Sequence, residues 1–239
     1  MKKIYFALYL LVAIICTTGL QSCRFNCVHG SGNEISETRK FGEFDRISVS
    51  GGYKVVLKQD SSFGIKITAD DNLLKYIKTE VDNGKLKIYS RRSFCNKGQM
   101  VINIGLKNLK ELKATGGIEI SSVGKINTKD IAFKLTGATK LSVELNAENV
   151  TTTGSGATEV NLRGIAKSHI IDLSGSGKVN ALDFAVNNCD IQTAGVGESK
   201  VNVANILNIH SSGASSVKYK GNPQITNDKS GASSVEKVD

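Results

Sequence analysis

TGATKLSVELNAENVTTTGSGATEVNLRG, residues 136–164, writes one phrase twice. The phrase is a small residue, a glycine, a few small or polar residues, and an apolar residue four places after the glycine. TGATKL and SGATEV are its copies here, and TGGIEI, SGSGKV, GESKV and two SGASSV segments extend it in both directions. The glycines are Gly116, Gly137, Gly156, Gly175, Gly197, Gly213 and Gly231, spaced 21, 19, 19, 22, 16 and 18 residues. A period near twenty marks a repeat architecture. Four places past each glycine stand Ile120, Leu141, Val160, Val179, Val201, Val217 and Val235, and two further on stand Val143, Leu162, Ala181, Val203 and Tyr219. Apolar residues two apart share one face of a strand. Between them run Glu119, Lys140, Glu159, Lys178 and Lys200, then Ser121, Ser142, Asn161, Asn180 and Asn202.

Each repeat therefore reads as strand, glycine corner, strand and return. One such coil cannot bury its apolar face, but stacked coils can. Like residues then lie one rung apart, at about 4.8 Å. Amides can hydrogen-bond along such a column and opposite charges can alternate along it. The pattern predicts an all-β chain, a parallel β-helix or related β-solenoid, with a less regular, strand-rich N-terminal half.

That first half contains RISVSGGYKVVLKQ, bent at Gly51–Gly52, then GIKITA and a helical turn expected after Asp70-Asp71-Asn72. In KTEVDNGKLKIYS an Asn-Gly pair between alternating runs predicts a hairpin. A single proline suits long uninterrupted ladders.

At the N-terminus, Lys2 and Lys3 precede an apolar run over 4–15, too short for a membrane span. The ending LQSC resembles a bacterial lipoprotein signal, in which Cys23 becomes the lipidated first residue; an ordinary secretory signal is the alternative. Residues 1–22 are thus expected to be a signal, 23–38 a polar tether and 39–239 one domain. The partner implied is a membrane, held through the lipid, and the expected location is the outer membrane of a cell envelope.

Together FDRISVSGGYKVVLKQ, ITADDNLLKYIKTEVDNGKLKIY and the SGAS phrases, over roughly residues 40–219, resemble the head-GIN family, also labelled auto-transporter adhesins. The resemblance implies an exported protein with a right-handed parallel β-helix. It brings no catalytic residues. Residues 1–239 show no translocator barrel of long amphipathic strands, so lipid is the expected attachment.

Chemistry is sparse. The net charge of +9 is spread along the chain, with Arg91-Arg92 the densest basic pair and no tryptophan. A nucleic-acid partner would need a focused patch and stacking platforms. Gly175-Ser-Gly-Lys178 lacks the first glycine and the Ser/Thr of a phosphate loop. Of the three histidines His29 lies in the expected tether, and His169 and His210, on strands of different repeats, have no Cys or carboxylate at metal spacing, so no metal or cofactor is expected. Cys189 is in phase with the inward residues Ile191 and Thr193 and reads as a buried thiol. An oxidising compartment permits a bridge between Cys27 and Cys95.

Three functions stay open on this reading. One is a non-catalytic binding, adhesion-like or structural module with a glycan or envelope-protein ligand. Another is a carbohydrate-active enzyme, for which Glu119 and Glu159 are the candidate carboxylates. The third is a periplasmic sensor or assembly factor. Lys140 between the two glutamates favours an ion-pair ladder over catalysis.

Overall fold

The computed structural model describes residues 27–95 and 98–238. The fold is all-β, with most strands in a single curled, open sheet. In chain order the elements are β1 (Val28–His29), β2 (Glu34–Lys40), β3 (Arg46–Gly51), β4 (Lys54–Gln59), β5 (Gly64–Asp70) and α1 (Asp71–Leu74). There follow β6 (Ile77–Asp82), β7 (Lys85–Ser90), β8 (Phe94–Cys95), β9 (Val101–Leu106), β10 (Glu111–Gly116) and β11 (Ile118–Asn127). Last come β12 (Asp130–Asn146), β13 (Asn149–Lys220), β14 (Gln224–Ser230) and β15 (Ser233–Lys237).

The repeats stack in parallel. From Asp130↔Asn149 to Asn146↔Ile165, β12 runs beside β13 without a slip, pairing Gly137 with Gly156, Leu141 with Val160 and Val143 with Leu162. β13 runs unbroken over 72 residues, turning at positive-φ glycines such as Gly156, Gly175 and Gly213. β14 and β15 add the last coil, with Leu207↔Ile225 and Val217↔Val235. Inward residues such as Phe133, Leu141, Val160, Leu162, Ile171 and Val179 are buried in one continuous core.

One corner is not where the phrase puts it. Gly195, at φ +121°, lies against the backbone of Gly175, and Gly213 lies in turn against Gly195. Gly197 is not at a positive φ and instead faces the Thr193 methyl. Counting from Gly195 makes Ser199, not Val201, the inward residue four places on, and Ser199 is indeed buried. Two glycines two residues apart preserve the inward–outward phase, so Val201 fitted either count and hid the longer coil. A Cβ on Gly195 would come within 2.7 Å of the Gly175 carbonyl oxygen, on a backbone that L side chains rarely adopt. Gly195→Ala is expected to lose about 1–3 kcal/mol in denaturant unfolding. Gly197→Ala should lose less, because its only close neighbour is a rotatable side chain. An equal or larger loss at Gly197 would return the corner to that residue.

The N-terminal half forms the other end of the stack. β3 lies between β7 and β10, and β4 between β9 and β11, all in parallel. Antiparallel strands then close both faces: β6 on β7 and β2 on β5. The β6–β7 hairpin turns at Asn83 and Gly84, with φ of +48° and +71°, as a two-residue Asn-Gly turn requires. The helical turn α1 forms with Leu73 and Leu74 buried, but Asp70 makes no cap bond. It is Asp71 whose Oδ1 accepts from the Asn72 amide at 2.6 Å.

The tether expected over 23–38 is corrected by β2, whose pairing with β5 begins at Glu34↔Asp70. All its residues but Arg39 are exposed, as on an edge strand, so the apolar alternation that announces a strand is missing. Arg39 bonds across to the opposite edge, donating from Nη1 to Ile77 O at 2.8 Å and Thr79 Oγ1 at 2.9 Å. The signal segment and Cys23 lie outside the described residues.

Candidate functional site

The outward side chains of the strand following each corner form columns. In the first, Glu119 pairs in register with Lys140 and Lys140 with Glu159. With the corner at Gly195, the column continues through Lys178 to Glu198, so charge alternates at every rung. Lys140 Nζ lies 3.3 Å from Glu159, and Glu198 takes Lys178 at 3.3 Å and Lys200 at 3.1 Å. The sequence alone, counted from Gly197, placed Lys200 here and missed Glu198.

The second column reads Ser121, Ser142, Asn161, Asn180 and Lys200. Asn180 Nδ2 donates to Asn161 Oδ1 at 2.9 Å, and Asn161 Nδ2 donates to Glu159 Oε1 at 3.0 Å and Ser142 Oγ at 3.3 Å. Asn202, expected in this column, donates instead to Leu182 O at 3.2 Å, a consequence of the same two-residue shift.

A register irregularity in β11, between Ser121 and Lys125, shapes one end of this face. Ser122 Oγ donates to Gly124 O at 2.9 Å and accepts from the Glu144 amide at 3.1 Å. Between this bulge and Lys200 runs a groove of about 670 Å³. Its charged lining is balanced, with Lys140, Arg163 and Lys200 against Glu144, Glu159 and Asp183; Ser142, Asn161 and Asn180 supply neutral donors and acceptors. Bulges often sit beside binding sites because they re-aim side chains.

The Asn161 amide and then Lys140 hold the Glu159 carboxyl below its ordinary range. Lys200 and Lys178 do the same for Glu198. Both carboxyls are therefore ionised at neutral pH and engaged as acceptors. The groove can therefore orient a polar ligand through hydrogen bonds and paired charges.

The remaining marked residues are dispersed. Cys27 and Cys95 are joined by a disulfide, with Cα atoms 5.6 Å apart. Cys189 is a buried free thiol whose pKa burial pushes up. His169 is buried, with Nε2 3.0 Å from Thr152 Oγ1 and its ring edge-on to Phe184. His210 is exposed, 3.9 Å from Asp228, and His29 ends β1. Gly175 and Lys178 serve a corner and the charge ladder. Among the described residues no group of His, Cys, Asp or Glu could hold a metal ion, and no helix is long and apolar enough to cross a membrane.

Solved structures share this fold. A "putative adhesin" from Bacteroides fragilis NCTC 9343 superposes with a TM-score of 0.84 at 21% identity, over 88% of this chain and 100% of that one. A "putative lipid binding protein" from Parabacteroides distasonis ATCC 8503 gives 0.72 at 22% identity, over 90% and 100%. A "putative adhesin" from Parabacteroides merdae ATCC 43184 gives 0.67 at 21%, over 89% and 99%. No curated protein matches significantly. Residues 43–223 match the family described as "Putative auto-transporter adhesin, head GIN domain", a range that takes in β3 to β13 and the groove, and the chain belongs to that family.

Proposed function

We propose that the protein is a non-catalytic binding module of the cell envelope, lipid-anchored at Cys23, that holds a neutral glycan along the groove between Ser122 and Lys200. The groove carries this reading: its charges balance, and its neutral lining is a column of amides and hydroxyls repeated at one rung spacing. A linear polyhydroxylated polymer offers donors and acceptors at a comparable repeat. An acyl chain would need a continuous apolar floor, whereas of the lining's large apolar residues Val143 and Leu162 belong to the buried core and Leu182 alone is partly exposed. The finer architecture inferred is a right-handed parallel β-helix. It is supported by the parallel stacking at offsets of 18 to 20 residues and by the right-handedness of nearly all parallel crossovers. The ion-paired, low-pKa state of Glu159 supports binding over hydrolysis, which would need one carboxyl raised.

Titration of envelope polysaccharides into purified protein tests this. Asn161→Ala with Asn180→Ala is expected to weaken binding about tenfold, through two lost hydrogen bonds to the ligand, with the thermal midpoint lowered only modestly by loss of the amide column and the fold retained, as read by circular dichroism. Unaltered affinity in the double variant would sink the groove as the site, and release of reducing ends by the native protein would overturn the non-catalytic reading.

A further inference from the structure

We infer that the N-terminal end of the stack is itself a membrane-docking surface for anionic phospholipid, positioned by the Cys27–Cys95 disulfide. The placement rests on the lipid-anchor reading of Cys23; the surface chemistry does not.

The disulfide changes the geometry of attachment. The polar segment that reads as a long tether is fixed at Cys27, where Val28 and His29 pair with Phe94 and Cys95. Four Cα–Cα steps separate Cys23 from Cys27, a reach of at most about 15 Å. A lipid on Cys23 thus holds the β1–β8 pair within one headgroup layer's distance of the bilayer, and whatever surrounds that pair faces the lipid.

What surrounds it is basic and aromatic. Arg91 and Arg92 are exposed in the turn between β7 and β8. The antiparallel register of β6 with β7 ends at Ile77↔Ser90, so Tyr76 and Lys75, which lead into β6, lie at the same end of the hairpin as the two arginines. The Tyr76 and Phe94 rings are 6.4 Å apart, and Lys75 Nζ stands 5.1 Å from the Tyr76 ring centre. Lys78 is exposed on the same strand. Arg91, Arg92, Lys75 and Lys78 make no ion pair among the described residues, whereas the acids of this hairpin, Glu80 and Asp82, lie towards its far turn and are engaged by Lys87. Of the acids that precede Lys75, Asp70 is buried, and Asp71 accepts from Ser31 Oγ at 2.6 Å, Asn33 Nδ2 at 3.0 Å and the Asn72 amide; the four exposed cations outnumber these two carboxylates. Unpaired cations around half-buried aromatic rings suit a headgroup layer: rings sit at the interface and cations meet phosphates.

The test uses the mature chain carrying Cys23→Ser, which has no lipid. It is expected to co-sediment with phosphatidylglycerol-containing vesicles and not with pure phosphatidylcholine, and to be released by salt. Arg91→Ala with Arg92→Ala should reduce partitioning about thirtyfold. Both side chains are exposed, so the thermal midpoint should hold. Equal binding to the two vesicle types, no binding to either, or full binding by the double variant would overturn the surface. Fatty-acid labelling of the native chain and of Cys23→Ala reads the anchor separately. Label that persists in Cys23→Ala overturns the anchor while the vesicle result stands.

Discussion

Val160→Asp is expected to unfold the protein or cost several kcal/mol, while the neighbouring Glu159→Gln changes stability by a few tenths. Val160 is fully buried and registered against Leu141. The next coil brings Val179 to its other side. A carboxylate there has neither water nor a cation, so it either pays the desolvation or is forced neutral. Glu159 points outward, 41% exposed, with Lys140 at 3.3 Å, and exposed pairs contribute roughly 0–1 kcal/mol. Urea unfolding of the two variants is the measurement. Similar losses at both positions would mean that the inward–outward phase is wrong.

The second large effect is a loss of stability on mild acidification, centred on His169. Burial pushes its pKa from 6.5 down to about 3. The folded protein therefore keeps the ring neutral while the unfolded chain takes up a proton below pH 6.5. The stabilising difference is complete above that pH and is lost as pH falls towards 3, at up to about 1.4 kcal/mol per unit. Glu111, flanked by Lys134 at 2.7 Å and Lys85 at 2.9 Å, is held down to about 2 from 4.5, so its contribution fades only below pH 4.5. The interval between 4.5 and 6.5 therefore isolates the histidine. Urea midpoints should fall across it in the native protein. They should stay level in His169→Leu with Thr152→Val, which removes both partners of the 3.0 Å contact. A flat native profile there would contradict the buried neutral ring.

The repeat half of this fold was legible because its information is local. A glycine and the apolar residues four and six places beyond it are enough to align Leu141 with Val160 and Gly137 with Gly156. The Asn83-Gly84 turn was legible for the same reason. The coil at Gly195 was misread because phase survives a two-residue change, and Ser199 carries no apolar signature at an inward position. β2 escaped because an edge strand outside the core needs no alternation. The sandwiching of β3 between β7 and β10 joins segments far apart in the chain, and no period announces it. Of the candidate site, the amide column was foreseen at Asn161 and Asn180. The complete charge alternation became visible only with the true corner in place, and Arg163 and the bulge at Ser122 have no signature in the repeated phrase.

That interleaving also dictates an order of assembly. Each coil after Asp130 finds its template ready, since the preceding coil presents a finished edge at one repeat's distance. β3 and β4 have no such template. Their first parallel partners come later, β7 only after β5, the helical turn and β6, and β9 after the β6–β7 hairpin, and β10 and β11 must still arrive to complete them. Closing those long loops carries the entropic barrier, because distant contacts must form before any reward them. Formation of the capped end is then expected to be the slow step, with the repeats adding one after another once a finished edge exists. That end lies early in the chain, so the exposed edge it leaves is covered by the chain's own next repeat.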